Sequence, residues 1–252
     1  MLARIPRRRD VTMASFLTVD FLFCALAVLA GACVQGASGI GFALFAAPIV
    51  ALRLPELVPG PMIVLGGAVS LLAALREYRQ IDFRITGLAL AGRLPGSIAA
   101  GLVVGLLPRT AFALIFAAMI LAAVALSFVG WRVRPNAPAL LTAGFASGFM
   151  GTMTSVGTPP MAIVLQHAEP ARLRATVGGF LVVGAVISVA VLAVAGRFGV
   201  HDLELSAGLL APLALGFAAS SLAIRRLDPR HVRRIALAIC AVSALALLVR
   251  HG

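Results

Sequence analysis

The chain has 252 residues, of which 61% are hydrophobic and 12% are charged. A soluble domain is usually about 45–50% apolar and about 25% charged, so this composition excludes an ordinary soluble protein. All 21 basic residues are arginines, and the formal net charge is +12. The arginines lie in short clusters between apolar runs, which is typical of loops that face anionic lipid headgroups and not of a nucleic-acid surface.

Apolar runs recur along the whole chain, and one membrane span needs about 20 apolar residues. The pattern predicts an all-α, polytopic membrane protein that forms a single membrane domain over residues 1–252, with about eight transmembrane helices. The first run follows an arginine-rich start and imitates a secretory signal, but further spans follow, so we interpret it as the first transmembrane helix. The predicted spans are Ser15–Val34, Pro61–Leu75, Ile85–Leu107, Ala111–Gly130, Ala139–Met150, Ala175–Ala195, Leu205–Ile224 and Val232–Val249.

Two further stretches, residues 35–54 and 148–167, are interrupted by glycine and proline. The helical part of the first, Phe42–Leu54, has 13 residues. At about 1.5 Å per residue it is roughly 20 Å long, whereas the hydrocarbon core of a bilayer is about 30 Å thick. Both stretches therefore predict broken or re-entrant helices.

The same two stretches predict an internal duplication, with repeats of about residues 15–131 and 138–250. A shift of 112 residues aligns Gly36 with Gly148, Gly39 with Gly151 and Pro48 with Pro160, and a shift of 120 aligns Asp82 with Asp202 and Gly96 with Gly216. Paired halves with matching broken helices are typical of transporter sites. The arginines are spread almost evenly over the two sides, which leaves the orientation open. If both broken segments cross fully, the count becomes ten and the repeats are inverted.

The breaks are also where a binding site is expected. Broken helices leave backbone groups unpaired, so in a membrane they must be buried in protein or line a wet cavity. A helix that starts there directs its N–H groups and positive dipole end at the occupant, and we expect Thr158 to cap such a start, with Pro159 in the first turn. The predicted substrate-binding residues, which form a neutral, donor-rich pocket for a small oxyanion, are Gln35, Ser38, Gly39, Gly41, Thr152, Thr154, Ser155, Gly157 and Thr158. The alternative is that the glycines only pack helices and the hydroxyls bond locally.

Arg93 is a further predicted substrate-binding residue. It follows Arg84 by nine residues. That spacing is about 13 Å along a helix, which places Arg93 near the middle of the bilayer, where a charge costs about 2.5–3.5 kcal/mol. No acidic residue falls within a predicted span away from its ends, except Asp20 near the start of the first, so an anionic substrate would supply the counter-charge. The alternatives are snorkelling and a structural hydrogen bond to a carbonyl freed by Pro95.

The remaining polar and sulfur-containing residues do not predict a metal or cofactor. Cys24, Cys33 and Cys240 lie in apolar runs without metal-binding spacing, so we expect them to be buried small side chains. Asp82 and Asp202 precede helices and are expected to cap them.

The two broken motifs together resemble the TauE/SafE sulfite exporter family, also called the toluene sulfonate uptake permease family. The residues that carry the resemblance are Gln35–Phe42 with Pro48, and Gly148–Gly151 with Gly157–Pro160 and Gln166-His167. The first motif has Gly39-Ile40-Gly41-Phe42 where the family commonly has a glycine triplet. The resemblance implies a secondary transporter of the bacterial inner membrane that exports sulfite, a sulfonate or a related small organosulfur anion.

Three classes of function are left open by the sequence. Within the transporter class, the alternative is an uptake permease for another small organic anion. A non-catalytic membrane assembly subunit would be expected to have long loops, whereas the loops here are short. An intramembrane enzyme would need catalytic side chains clustered inside the spans, and the four histidines fall near loops or ends. No ATP-binding motif is present, so the expected partners are a small anion, the lipid bilayer and a coupling ion, H⁺ or Na⁺.

Overall fold

The structure, a computed structural model, describes residues 19–128, 133–226 and 229–251. Over these residues the chain forms α-helices and no strand, which confirms the predicted all-α class. The helices are α1 (Val19–Ser38), α2 (Phe42–Arg53), α3 (Gly60–Arg76), α4 (Phe83–Leu106), α5 (Arg109–Phe128), α6 (Ala137–Thr154), α7 (Thr158–Val164), α8 (Pro170–Val194), α9 (Val200–Gly208), α10 (Leu210–Arg226) and α11 (Pro229–His251). Short 3₁₀ helices, Pro55–Leu57 and Tyr78–Gln80, precede α3 and α4.

Most predicted spans coincide with one helix each to within a few residues. The start of the first span, residues 15–18, lies outside the described residues. In the part of the chain that is described, α1, α4 and α8 are long and apolar enough to cross a membrane. The bent pair α9 and α10 makes a fourth if it counts as one span. The number of eight spans therefore stays a prediction.

The predicted span Leu205–Ile224 is not one straight helix, because the structure divides it between α9 and α10. The two helices meet at an angle of 45° around Leu209. Pro212 lacks an N–H group, and its ring clashes with the carbonyl four residues earlier, which belongs to Gly208, the last residue of α9. The proline thus explains where the first helix stops.

The first predicted break is shorter than expected. Helix α1 continues through Gln35 to Ser38, so that the break consists of residues 39–41 alone. Gly39 and Gly41 have φ angles of 81° and 117°, which glycine adopts without the steric cost of a Cβ atom. The short helix predicted to follow, Phe42–Leu54, is confirmed as α2.

The second break lies between α6 and α7. Ser155 ends α6 in the left-handed region, with φ of 64°. Helix α7 begins at Thr158, as predicted, with prolines in its first turn. The predicted capping role of Thr158 is wrong, because Gly157 occupies the N-cap position and no side chain caps the helix.

Glycines let the long helices approach one another closely. A Cβ atom at Gly96 of α4 would lie 2.2 Å from the carbonyl oxygen of Phe145 on α6, and one at Gly144 would lie 2.0 Å from that of Ala89. A Cβ atom at Gly216 of α10 would lie 2.1 Å from the carbonyl oxygen of Leu29 on α1. Small residues at such interfaces are the usual means of packing helices in membranes.

The main hydrophobic core gathers α1, α2, α5 and α11 around the first break. Phe42, the first residue of α2, is fully buried in it. Cys24 and Cys240 are fully buried members of the same core and Cys33 is partly buried, which fits the expectation of small buried side chains.

Aspartates cap the beginnings of two helices, but only Asp82 precedes its helix as predicted. Asp82 precedes α4, and its Oδ1 accepts a hydrogen bond from the backbone N–H of Ile85 at 3.0 Å. That hydrogen bond and the guanidinium of Arg172, which binds Oδ2, hold the pKa of Asp82 below its ordinary value. Asp202, inside the first turn of α9, accepts from the N–H of Gly199 at 2.8 Å.

Candidate functional site

The two helix breaks face each other across a small cavity, with helix α4 beside them. Gln35, Phe42 and Ala43 line it from the helices on either side of the first break. Ser155, Gly157 and Thr158 line it from the second break, and Arg93 comes from α4. The cavity volume is about 30 Å³. A water molecule needs roughly 10–15 Å³ on this measure, so the cavity in this form admits water but must widen to admit an organic anion.

Arg93 is a buried cation in the wall of this cavity, and only 3% of its surface is exposed. Its Nη1 donates to Ser147 Oγ at 3.0 Å, and its Nη2 donates to Ser188 Oγ at 3.5 Å. The guanidinium carbon lies 4.9 Å from the ring centroid of Phe180, a favourable cation–π distance. The guanidinium of Arg93 therefore donates to serine hydroxyls. The alternative interpretation of the sequence was a hydrogen bond to a carbonyl freed by Pro95.

One donor of Arg93 is left over. Its Nε is buried and has no hydrogen-bond partner among the described residues. A buried N–H without an acceptor is unfavourable by about 1–3 kcal/mol, and by more when it belongs to a charged group. The arginine is thus held firmly in place while part of its hydrogen-bonding capacity stays unused.

The hydroxyls that hold Arg93 connect it to the second break. Ser147 Oγ, besides accepting from Arg93, donates to the carbonyl of Gly157 at the start of α7. Ser188 Oγ lies 2.8 Å from Thr152 Oγ1 on α6. The predicted site residue Thr152 is therefore a support behind Arg93 and does not line the cavity.

Glycine on helix α8 makes room for the guanidinium. A Cβ atom at Gly184 would lie 2.1 Å from Arg93 Nε and 2.3 Å from its Cζ. Gly151 on α6 is the next glycine beside the guanidinium, since a Cβ atom there would lie 3.2 Å from Nη2. The side chain of Arg93 therefore lies between two glycine faces.

Gln35 lines the cavity, but its amide is already engaged. Its Nε2 donates to Ser70 Oγ at 2.9 Å, and its Oε1 accepts from the backbone N–H of Phe42 at 3.1 Å. The second bond satisfies one of the otherwise unpaired N–H groups at the start of α2. Gln35 thus connects α1, α2 and α3 at the cavity wall.

The other first-break residues predicted for the site do not reach Arg93. Ser38 Oγ donates locally, to the carbonyls of Val34 at 2.8 Å and Ile40 at 2.6 Å. Ser38 and Gly41 line a second, largely apolar cavity of about 30 Å³. Gly39 lies under Arg174, whose Cγ would be 2.1 Å from a Cβ atom at that glycine.

The hydroxyls of the second break divide in the same way. Thr154 Oγ1 donates to the carbonyl of Met150 at 2.7 Å and accepts from the N–H of Val156 at 3.2 Å, so it stabilises the break locally. Ser155 Oγ donates to the carbonyl of Pro59 at 3.3 Å and lines the Arg93 cavity. Thr158 lines both cavities.

Sequence reasoning missed the residues that surround Arg93. They are Ser147, Phe180, Gly184 and Ser188. The available signal was a serine inside an otherwise apolar span, because a hydroxyl at membrane depth requires a partner.

A charged cluster lies at the end of α3, outside the cavity. Arg174 at the start of α8 forks onto Glu77, with Nε 3.1 Å and 3.0 Å from the two carboxylate oxygens. The neighbouring Arg76 donates to the carbonyl of Gly36 near the end of α1. Because Arg174 also lies on Gly39, this cluster ties α1, α3 and α8 together beside the first break.

Comparison with models of known protein families matches residues 23–247 to the family described as sulfite exporter TauE/SafE. No curated protein and no solved structure matches the chain. The matched range contains both helix breaks and all the residues that surround Arg93.

Proposed function

Since the chain belongs to the sulfite exporter TauE/SafE family, a family of membrane transporters, we propose that it exports sulfite, a sulfonate or a related small organosulfur anion. The site of this transport is the cavity at Arg93. The protein is then a multi-pass protein of the bacterial inner membrane, and an H⁺ or Na⁺ gradient drives it as a secondary transporter. Uptake of another small organic anion and a role as an assembly subunit are the alternatives that experiment has to separate from export.

The observation that carries the proposal is a buried guanidinium in the wall of the cavity that lies near both helix breaks. Arg93 has a buried Nε without an acceptor, and no carboxylate is found among the described residues that line its cavity. Burying an unpaired cation at membrane depth costs about 2.5–3.5 kcal/mol on insertion scales. A small oxyanion in the cavity offsets that cost, and a planar guanidinium matches its geometry.

The predicted site residues have different roles in this proposal. Ser155 and Thr158 line the cavity beside Gly157 and are the residues that we expect to lie next to the anion. Gln35 shapes the opposite wall, while Thr152 orients the hydroxyl that holds Arg93. The remaining residues, Ser38, Gly39, Gly41 and Thr154, keep the two breaks in shape and affect transport indirectly.

A two-fold repeat is the architecture that this proposal requires, with eight spans and two re-entrant segments in one domain. The helix pairing supports it, because α6 packs on α4 as α1 packs on α10, while α3 packs on α8, its counterpart in the other half. In both outer pairs a glycine, Gly96 or Gly216, meets a backbone carbonyl of the partner helix. In transporters built from two repeats, the substrate site usually lies where the broken helices of the two repeats meet.

The test is flux of sulfite and sulfonates in liposomes that contain the purified protein. Arg93→Ala should abolish flux, and Arg93→Lys should keep part of it with weaker apparent affinity, because lysine offers a point charge in place of a fork. Arg84→Ala is the matched control, since Arg84 lies on the same helix and is exposed. Full flux in a well-folded Arg93→Ala protein would remove Arg93 from the site. Inward flux of carboxylates without sulfur anions would favour the uptake permease, and no flux of any anion would favour the assembly subunit.

A further inference from the structure

The cavity at Arg93 carries a single charge, and that charge is not shared with any protein group. Among the described residues that line the cavity, Arg93 is the only ionisable side chain. Helices α6 and α7, which form one side of it, contain no ionisable side chain. The groups that hold Arg93 are hydroxyls and an aromatic ring, which neither add nor remove charge.

The other charged groups on the surrounding helices lie at their ends and mostly pair with one another. Three ion pairs lie at these ends: Asp20 of α1 with Arg53 of α2, and Arg172 and Arg174 near the start of α8 with Asp82 and Glu77. Two further arginines are Arg76 at the end of α3 and the exposed Arg84 near the start of α4. Charges at the ends of the spans are screened by water and headgroups, whereas Arg93 is buried. The local balance inside the cavity is therefore one positive charge.

We propose, on the basis of the proposed function, that this site selects monovalent oxyanions and rejects divalent ones. A monoanion neutralises Arg93 and leaves the buried site without net charge. A dianion leaves one uncompensated negative charge in a buried cavity that has no second cation among its described lining residues, which is strongly unfavourable. Sulfite therefore crosses as hydrogen sulfite, whereas sulfonates cross as they are because they carry one charge.

The site has no means of converting a dianion into a monoanion. That step needs a proton donor of moderate pKa in the cavity, and the described lining residues offer only hydroxyls, an amide and a guanidinium. The proton of hydrogen sulfite is accordingly taken up from water before binding and is released into water after exit. Each sulfite that is exported in this form carries one proton with it.

The size of the discrimination follows from the cost of one unpaired charge at membrane depth. We expect methanesulfonate to bind about 100-fold more tightly than sulfate, which corresponds to about 2.7 kcal/mol. The two anions are a matched pair, because they have nearly the same size and shape and differ by a methyl group in place of a charged oxygen. Their ratio of affinities therefore reports charge and not fit.

The experiment uses the full chain in liposomes and measures sulfite and methanesulfonate flux in parallel, from mildly acidic to mildly alkaline pH. The ratio of sulfite flux to methanesulfonate flux should fall with the fraction of sulfite that is the monoanion, and pH effects on the protein cancel in this ratio. Sulfate should compete with methanesulfonate about 100-fold less well than unlabelled methanesulfonate does. A ratio that does not change across the ionisation of sulfite, or strong competition by sulfate, would overturn the inference and leave the transport function intact. Absence of flux for both sulfur anions at every pH would refute the proposed function itself and the inference with it.

Discussion

Replacing Gly184 by alanine is the sharpest test of whether the position of Arg93 matters. A Cβ atom at this position would lie 2.1 Å from Arg93 Nε and 2.7 Å from its Cδ. Ordinary contact of a Cβ atom begins near 3.4 Å, so the guanidinium has to move by more than 1 Å. The Nε and Cδ atoms lie in the middle of the side chain, and hydrogen bonds to Ser147 on α6 and Ser188 on α8 hold the guanidinium beyond them. These atoms therefore cannot move aside as easily as the free end of a flexible side chain.

The displacement breaks the hydrogen bond of 3.0 Å between Arg93 and Ser147. A hydrogen bond to a charged group is worth about 1.5–3 kcal/mol, and the free energy of unfolding should decrease by that amount. Flux should decrease about tenfold or more, since a reacting or binding group misplaced by about 1 Å can lose a factor of this size or larger.

The matched control is Gly179→Ala on the same helix. A Cβ atom there would lie 3.6 Å from Ile81, an ordinary contact. Both substitutions replace glycine by alanine inside the same helix and therefore stabilise the helix equally, by up to about 1 kcal/mol. Any difference in stability or flux between the two variants therefore reports the contact with Arg93. Thermal unfolding in detergent and flux in liposomes are measured on the same preparations. A Gly184→Ala protein that melts and transports like the control would refute the reasoning.

Three further changes test the supports of the site. Ser147→Ala should lower the free energy of unfolding by about 1.5–3 kcal/mol and reduce flux, as measured by thermal unfolding and liposome assay, because it leaves an N–H group of a buried cation without an acceptor. Glu77→Gln should cost about 1–3 kcal/mol, a value between those of exposed and buried pairs, and a double-mutant cycle with Arg174→Gln should show that the two losses are not additive. Asp82→Asn should lower the melting temperature at neutral pH. This difference should begin to shrink as the pH falls below about 4 and vanish once the pH is below the lowered pKa of Asp82, where the carboxylate is protonated in the folded protein as well. A difference for Asp82→Asn that persisted undiminished in acid would assign the effect to packing.

The local structure of the breaks could be predicted from the sequence because glycine and proline act on the backbone at their own positions. Gly39 and Gly41 adopt φ angles that other residues rarely reach, and Pro159 can begin a helix because its missing N–H is not needed there. The bend between α9 and α10 had the same kind of signal in Pro212. It was missed because the apolar run around it continues without interruption.

The residues that define the site could be predicted only in part. Arg93 was identified because a charge at membrane depth is costly wherever the chain folds. Its partners were not, because Ser147 is 54 residues away in the chain and Ser188 is 95 residues away. No local pattern says which of several serines in apolar helices will face one arginine.

By itself, the sequence determined that the chain is an all-α membrane protein of the TauE/SafE family. It also indicated the positions of the two helix breaks and the one arginine that is buried inside a span. These properties follow from apolar content and backbone chemistry, which act over a few neighbouring residues. Only the tertiary structure decided that Ser38, Gly39 and Gly41 lie away from that arginine, and that Gly184 gives it room. The physical reason is that close packing of helices at glycine contacts, and not distance along the chain, determines which side chains meet in the cavity.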